Sequence, residues 1–191
     1  IIVMSVMNGF RTDLTNKILG LNPHIVINPS GSNIEKDFKN HLKDNYKDIL
    51  LRDSYSGEGI LIKEDFTKGV SIKSLDNNNV SNSKFLIGKI IKGNFSDFKE
   101  GKILIGAELA FNLDVTVGDN LILMSSSFIS TPLGSVPKQE SYKVAAVFNS
   151  GFYQFDENVV FLNINDALSL FEKEKKDLSL EIYLKDPIKA D

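Results

Sequence analysis

The sequence predicts an α+β fold in which helices and strands from the two chain ends form one unit and a β-rich middle forms another. Short apolar runs rich in β-branched residues recur at 24–28, 49–52, 59–63, 70–75, 103–105, 121–125, 142–148 and 159–162, each bounded by turn residues. Helical spacing occurs near both ends of the chain, at 4–19 and 167–174. The Asn-rich piece 76–82 interrupts the pattern, and after it the texture changes from strand and helix to short strands and Gly turns. With 191 residues, 42% of them hydrophobic and 25% charged, the chain is long enough and apolar enough to bury a core without staples.

The opening residues Ile1, Ile2, Val3 and Met4 are an unusual start for a gene product. They lead us to expect a fragment beginning in the last turn of a membrane-spanning helix, although no apolar run here approaches the ~20 residues a span requires. Val6, Met7, Phe10, Leu14, Ile18 and Leu21 step by threes and fours, so one helix over 4–19 is expected, with Val6, Phe10, Leu14 and Ile18 partly packed on the domain. Gly20 and Pro23 end it. A strand at 24–28, a loop at 29–33, a polar helix at 34–46 and strands at 49–52, 59–63 and 70–75 follow.

Beyond the Asn-rich piece the expected elements are strands at 85–91 and 103–105, a brief helix at 108–112, a turn at Gly118 and Asp119, and strands at 121–125, 142–148 and 159–162. Asn165 is expected to cap a helix over 167–174, and 178–184 is a last alternating strand before Pro187. The closing helix and strand mirror the opening ones. The expected division is therefore 1–78 with 157–191 as one discontinuous subdomain, and 79–156 as an inserted β-rich one.

Several chemistries are excluded by residue type. The net charge is −3 and arginine occurs only at Arg11 and Arg52, so no nucleic-acid footprint is expected. There is no cysteine, hence no disulfide, thiolate site or cysteine nucleophile. His24 and His41, the only histidines, lack metal-ligand spacing. Gly101-Lys102 is followed by Ile103 and has no P-loop before it, so no nucleotide site is expected. Asp76 and Asn78 imitate the start of a calcium loop, yet Ser81 stands where Gly is needed and Ile87 where Glu is needed. The expectation is no catalytic residue, no cofactor and no metal.

The segment 128–140 is the informative oddity. It joins two strands suited to a hairpin, yet it is longer and more apolar than the two to five polar residues of ordinary hairpin loops. Phe128, Ile129, Leu133 and Val136 are apolar, while Pro132 and Pro137 stiffen the backbone. An exposed loop of this kind is a contact site, the alternative being a loop folded onto the core.

Residues at this point resemble a known family along essentially the whole chain. Ser5-Val6-Met7-Asn8-Gly9-Phe10, with Leu14 and Ile18-Leu19-Gly20, resembles the segment after the first membrane helix in permease subunits of the lipoprotein-releasing ABC transporter, the LolC/LolE type. The stretch from Ile103 through Gly106 and Glu108 to Ala110, then Leu113, Val117-Gly118-Asp119 and Leu121, resembles the wider MacB-like and FtsX-like class. Thr131-Pro132-Leu133-Gly134-Ser135-Val136-Pro137 is similar to the projecting hook of the LolC-type subunit, although arginine is common in relatives where Ser135 and Glu140 stand here.

The resemblance implies a MacB-like periplasmic domain, with a mixed α/β porter-like subdomain and an inserted β-rich sabre-like subdomain carrying the hook at 128–140. It implies an inner-membrane protein with this part on the periplasmic side, and no enzymatic activity in it. The implied partners are the periplasmic lipoprotein chaperone LolA, the cytoplasmic ATPase subunit LolD, a paralogous or identical permease subunit, and the lipoprotein substrates. Phe128, Ile129, Thr131, Pro132, Leu133, Gly134, Val136 and Pro137 would form the chaperone contact, with Lys138 and Gln139 orienting it. The helix bearing Val6, Met7, Phe10, Leu14 and Ile18 would transmit force from the membrane. A MacB-type domain of an efflux or FtsX-like mechanotransmission complex is the alternative.

Overall fold

The computed structural model describes residues 3–4, 6–11, 21–30, 34, 36–76, 86, 88–132 and 134–185. In chain order the elements are β1 (Ile25–Ile27), α1 (Lys36–Asn45), β2 (Ile49–Ser54), β3 (Ser56–Lys63), β4 (Phe66–Leu75), β5 (Ile90–Gly93), β6 (Lys102–Gly106), α2 (Ala107–Asn112), β7 (Asn120–Thr131), β8 (Gly134–Phe148), α3 (Tyr153–Asn158), β9 (Val159–Asn163), α4 (Ile164–Leu170) and β10 (Ser179–Leu184). Short 3₁₀ turns lie at Phe95–Asp97 and Lys175–Asp177. Among the described residues no helix is long and apolar enough to cross a membrane.

Seven strands form one sheet in the order β5-β8-β6-β9-β4-β3-β7, and β7 pairs back onto β8. The pairing therefore closes β8, β6, β9, β4, β3 and β7 into a ring, with β5 attached outside β8. Closure removes the exposed edges that an open sheet would present. The pairs β4–β9 and β6–β8 are parallel and the others antiparallel. A separate sheet, β1-β10-β2, pairs strands from the early and late parts of the chain.

Two apolar clusters sit on opposite sides of the central strands. Ile103 and Ile105 of β6 and Val160 and Leu162 of β9 join one cluster, with Leu61, Ile72, Leu123 and Tyr142 from the other strands and Leu109, Leu170 and Phe171 at the helices. Leu104 and Phe161 point the other way, into a cluster with Phe148 and Phe155. The rings of Phe148 and Phe161 meet at 5.4 Å and those of Phe148 and Phe155 at 6.1 Å. Burial on both faces is why β6 and β9 read as unbroken apolar runs instead of alternating ones.

The family-like motifs are structural at this level. A Cβ at Gly106, the residue before α2, would collide with the Asp156 carbonyl, so only glycine lets α3 approach there. In Val117-Gly118-Asp119 the Gly118 N–H donates to the Val144 carbonyl at 2.9 Å, and the Val144 N–H returns to the Asp119 carbonyl at 2.8 Å. Gly118 has φ +99° and the Asp119 carboxylate accepts from the Thr116 N–H at 2.8 Å. This turn delivers the chain into β7 alongside β8.

The small sheet meets the ring at a polar joint. Arg52 and Glu181 are direct cross-strand partners, both buried, and the Arg52 Nε donates to Glu181 Oε2 at 2.8 Å. The Tyr183 hydroxyl donates to the same oxygen at 2.8 Å, and the guanidinium carbon lies 4.8 Å from the Tyr183 ring centre. Removing either charge would leave the other buried alone, a cost of about 3–5 kcal/mol. Lys73 of β4 faces this joint and donates to Asn22 Oδ1 at 3.0 Å, and burial lowers its pKa.

Several expectations need correction. The strand expected at 85–91 lies at Ile90–Gly93, with Leu86 helical and a turn at 88–89. The helix α3 was not expected, because six residues are too few to show a helical period. Asn163, not Asn165, caps α4: its side chain accepts from the Asn165 N–H at 3.0 Å. Strands from 1–78 and 157–191 share the ring with strands from 79–156, since β3 pairs with β7 and β9 with β6.

Residues 3–4 and 6–11 are helical, as expected, but Val6, Met7 and Phe10 are exposed and not packed on the domain. The stripe is therefore an exposed apolar face among the described residues. Leu14 and Ile18 lie outside the described residues.

Two outcomes follow from this packing. Gly106→Ala must displace the Asp156 backbone, so chemical denaturation should show a loss of about 1–3 kcal/mol, typical of overpacking. Burial, as the leading cause, raises the phenol pKa of Tyr183 and of Tyr142 above the model-peptide 10.0. Their protonated forms are therefore favoured in the fold; the stabilisation is complete below that pKa and declines as pH rises past it. The urea midpoint should fall between about pH 9 and pH 11, and Tyr183→Phe should flatten that fall.

Candidate interaction surface

β7 and β8 are the longest strands, and they pair over two stretches. Residues 120–124 face 139–143 in the wall of the ring, and 128–131 face 134–137 beyond it. Between them three residues of β7, 125–127, stand opposite Lys138 alone, a bulge with two extra residues that bends the ladder.

The distal stretch is a paired hairpin arm and not the irregular loop expected over 128–140. Phe128 faces Pro137, Ile129 faces Val136, Ser130 faces Ser135 and Thr131 faces Gly134. The turn is closed by the Thr131 hydroxyl, which donates to the Gly134 carbonyl at 2.7 Å. Gly134 has φ +123°, a backbone that L side chains resist. Here β8 has β7 as its neighbour and meets β6 only from Lys143 onward. A strand with one neighbour leaves alternate N–H groups outside the ladder, which is where proline is tolerated.

The arm is apolar on both faces. Phe128 is 63% exposed, Ile129 38% and Val136 42%, and Pro132 is exposed at the turn. Leu133 lies outside the described residues. Pro137 and Gln139 share a face, so Phe128 lies on the same side as Met124 and Ile122. Ile60 of β3, itself exposed, is the direct partner of Met124 on that wall.

The base of the arm is fastened to the end of α4. The Ser125 hydroxyl donates to the Leu170 carbonyl at 2.8 Å, the Ser127 hydroxyl to the Phe171 carbonyl at 2.7 Å, and the Lys138 Nζ to the Ser169 carbonyl at 2.8 Å. The Ser169 carbonyl also accepts the Glu172 N–H at 3.1 Å, and a cation there meets the negative end of the helix dipole. Lys138 also pairs with Glu172 at 2.5 Å and Glu140 at 3.5 Å; the hydrogen bond to Glu172 is the main cause that raises its pKa.

Lys138 thus makes its polar contacts within the domain, and Gln139 is exposed beside Met124. Ser125, Ser127, Ser169 and Glu172 were not anticipated. The one signal was the run Ser125-Ser126-Ser127 at the end of an alternating strand, where hydroxyls compete for backbone groups.

His24 Nδ1 accepts from the Leu184 N–H at 2.8 Å within the small sheet, and His41 meets Asn45 one turn along α1. Among the described residues no group of three His, Cys, Asp or Glu is arranged to hold a metal. A cleft of about 790 Å³ is lined by charges of both signs, among them Asp53, Asp76, Lys99 and Lys175.

No model of a known protein family matches the chain. Curated relatives do. The chain is 29% identical over its full length to the lipoprotein-releasing system transmembrane protein LolC of Neisseria meningitidis serogroup B, covering 47% of that protein. It is 24% identical over 91% of its length to LolC of Xylella fastidiosa and 28% identical over 98% to LolC of Buchnera aphidicola. The chain spans about half the length of these relatives.

Among solved structures, the extracellular domain of the ABC-type transporter YknZ matches 85% of the chain and 84% of its own, with TM-score 0.52 and 11% identity. The periplasmic region of MacB from Actinobacillus actinomycetemcomitans matches 86% of the chain and 75% of its own, also with TM-score 0.52 and 11% identity. The fold is therefore that of MacB-like periplasmic domains. The resemblance read from Ser5 to Gly20 and from Ile103 to Leu121 agrees with these relatives.

The turn geometry sets a local expectation. Gly134→Val forces a β-branched residue to φ +123°, so amide exchange in the arm should accelerate while that of β6 and β9 stays unchanged.

Proposed function

We propose that this chain is the periplasmic part of a permease subunit that releases lipoproteins from the inner membrane and passes them to the carrier LolA through the β7–β8 arm. The carrying observation is the exposed apolar arm, held stiffly on a closed ring, in a chain whose relatives bear the name of a lipoprotein-releasing system. ATP would be hydrolysed by a separate cytoplasmic subunit, LolD, and the membrane part of this polypeptide would pair with a paralogous or identical permease. The helix containing Val6, Met7 and Phe10 would lead toward the membrane and carry its motion to the domain.

No bond chemistry is asked of the arm. A carrier of acylated proteins must shield acyl chains in an apolar cavity, and a stiff apolar hairpin fits the mouth of such a cavity when it is empty. Acyl chains entering the cavity compete for the same surface, so loading would release the arm and give the handover a direction. Pairing of 128–131 with 134–137 lowers the ordering entropy that docking would otherwise cost. The MacB-like reading shares the fold, but at 11% identity that likeness carries no choice of partner.

Burying one Phe or Ile side chain contributes roughly 1.5–3 kcal/mol, so Phe128→Asp and Ile129→Asp should each weaken carrier binding by an order of magnitude or more. Calorimetry with purified LolA, alongside circular dichroism of each variant, checks this. Folded variants that bind as the parent does would remove the arm from the interface.

A further inference from the structure

We propose that Ser125, Ser127 and Lys138 are positioning residues: by holding the end of α4 they set the direction in which the arm points, and through Phe171 they tie that direction to the joint between the ring and the three-stranded sheet. This rests on the arm being the partner-binding element proposed above. The three donors come from the bulge, the one place where the hairpin ladder is broken, and they reach the successive carbonyls of Ser169, Leu170 and Phe171. A bulged two-stranded ribbon has a local bend that its own ladder does not fix. The three hydrogen bonds fix it against a rigid helix end.

The same helix end reaches the joint. The Phe171 ring lies 5.1 Å from that of Tyr55, the single residue between β2 of the small sheet and β3 of the ring. A Cβ at Gly57 would come within 2.5 Å of the Phe171 ring, so the aromatic sits directly on the start of β3. Tyr55 is itself held by Ser74, whose hydroxyl accepts from the Tyr55 N–H at 2.7 Å and whose N–H donates to the Tyr55 carbonyl at 2.8 Å.

From Phe171 the chain runs on to β10, the central strand of the three-stranded sheet. A displacement of that sheet against the ring therefore acts on Phe171, and the carbonyl of Phe171 acts on Ser127. The base of the arm and the joint therefore share one helix end.

The absence of native cysteine allows two spin labels to be placed, at Ser130→Cys on the arm and Asn112→Cys on α2, both exposed. Pulsed dipolar spectroscopy on the parent should give one narrow distance distribution. Ser125→Ala with Ser127→Ala and Lys138→Met should broaden and shift it, Lys138→Arg alone should preserve it, and LolA affinity should fall about tenfold in the triple variant as preorganisation is lost. If the triple variant does not fold by circular dichroism, Lys138→Met alone is read in the same way.

A folded clamp variant with the parent's distribution overturns the positioning role. Phe128→Asp in the labelled protein should keep the distribution and weaken LolA binding about tenfold or more. Undiminished LolA binding there would instead overturn the proposed function, leaving the positioning geometry to stand or fall on the distances.

Discussion

β8 changes partners along its fifteen residues, pairing first with β7 and then, from Lys143, with β6 and β5. Lys143 stands opposite both Asn120 and Lys102, so the ring closes at that residue. Closure dictates much of the rest. It gives β6 and β9 two covered faces, turns Tyr142, Leu61 and Leu123 into a shared interior, and leaves β7 with no free edge inside the wall. It also leaves the first part of β8, with the β7 residues facing it, free to extend past the ring as an arm.

The arm exposes apolar area on a paired backbone. Its exposed groups are apolar side chains and serines, and the polar atoms at its base are spent on the carbonyls of α4. A stiff apolar hairpin offers area to a partner without much loss of rotamer or backbone freedom. The charged pairs around Lys138 are partly exposed and contribute little stability by themselves. Their value lies in geometry.

The joint between the two sheets is polar where the ring is apolar. Arg52, Glu181 and Tyr183 satisfy one another within the small sheet, and Lys73 reaches across from β4. A buried pair of this sort contributes less stability than well-packed aliphatics would, but it admits one cross-strand register only. Tyr55, packed on Phe171, makes the connection short and directional.

Most strand positions were legible in the sequence because burial on one or both faces writes itself as alternation or as an unbroken apolar run, as in 103–105 and 159–162. The oddity of 128–140 was legible too, from Phe128, Ile129 and Val136 where a polar turn belongs. Its conformation was not: Pro137, Lys138, Gln139 and Glu140 read as a loop, and only a partner strand fixed by ring closure makes them β8. The exposure of Val6 and Phe10, the shift of the α4 cap to Asn163, and the pairing of Arg52 with Glu181 across 129 residues all depend on what lies nearby in space. By itself the sequence determined which segments are apolar, which motifs it lacks and which family it resembles, since these follow from residue type and local spacing. The direction of the arm and the clamp that holds it were decided by tertiary structure alone, because Ser125, Ser127 and Lys138 acquire a role only when α4, some thirty to forty-five residues away in the chain, ends against them.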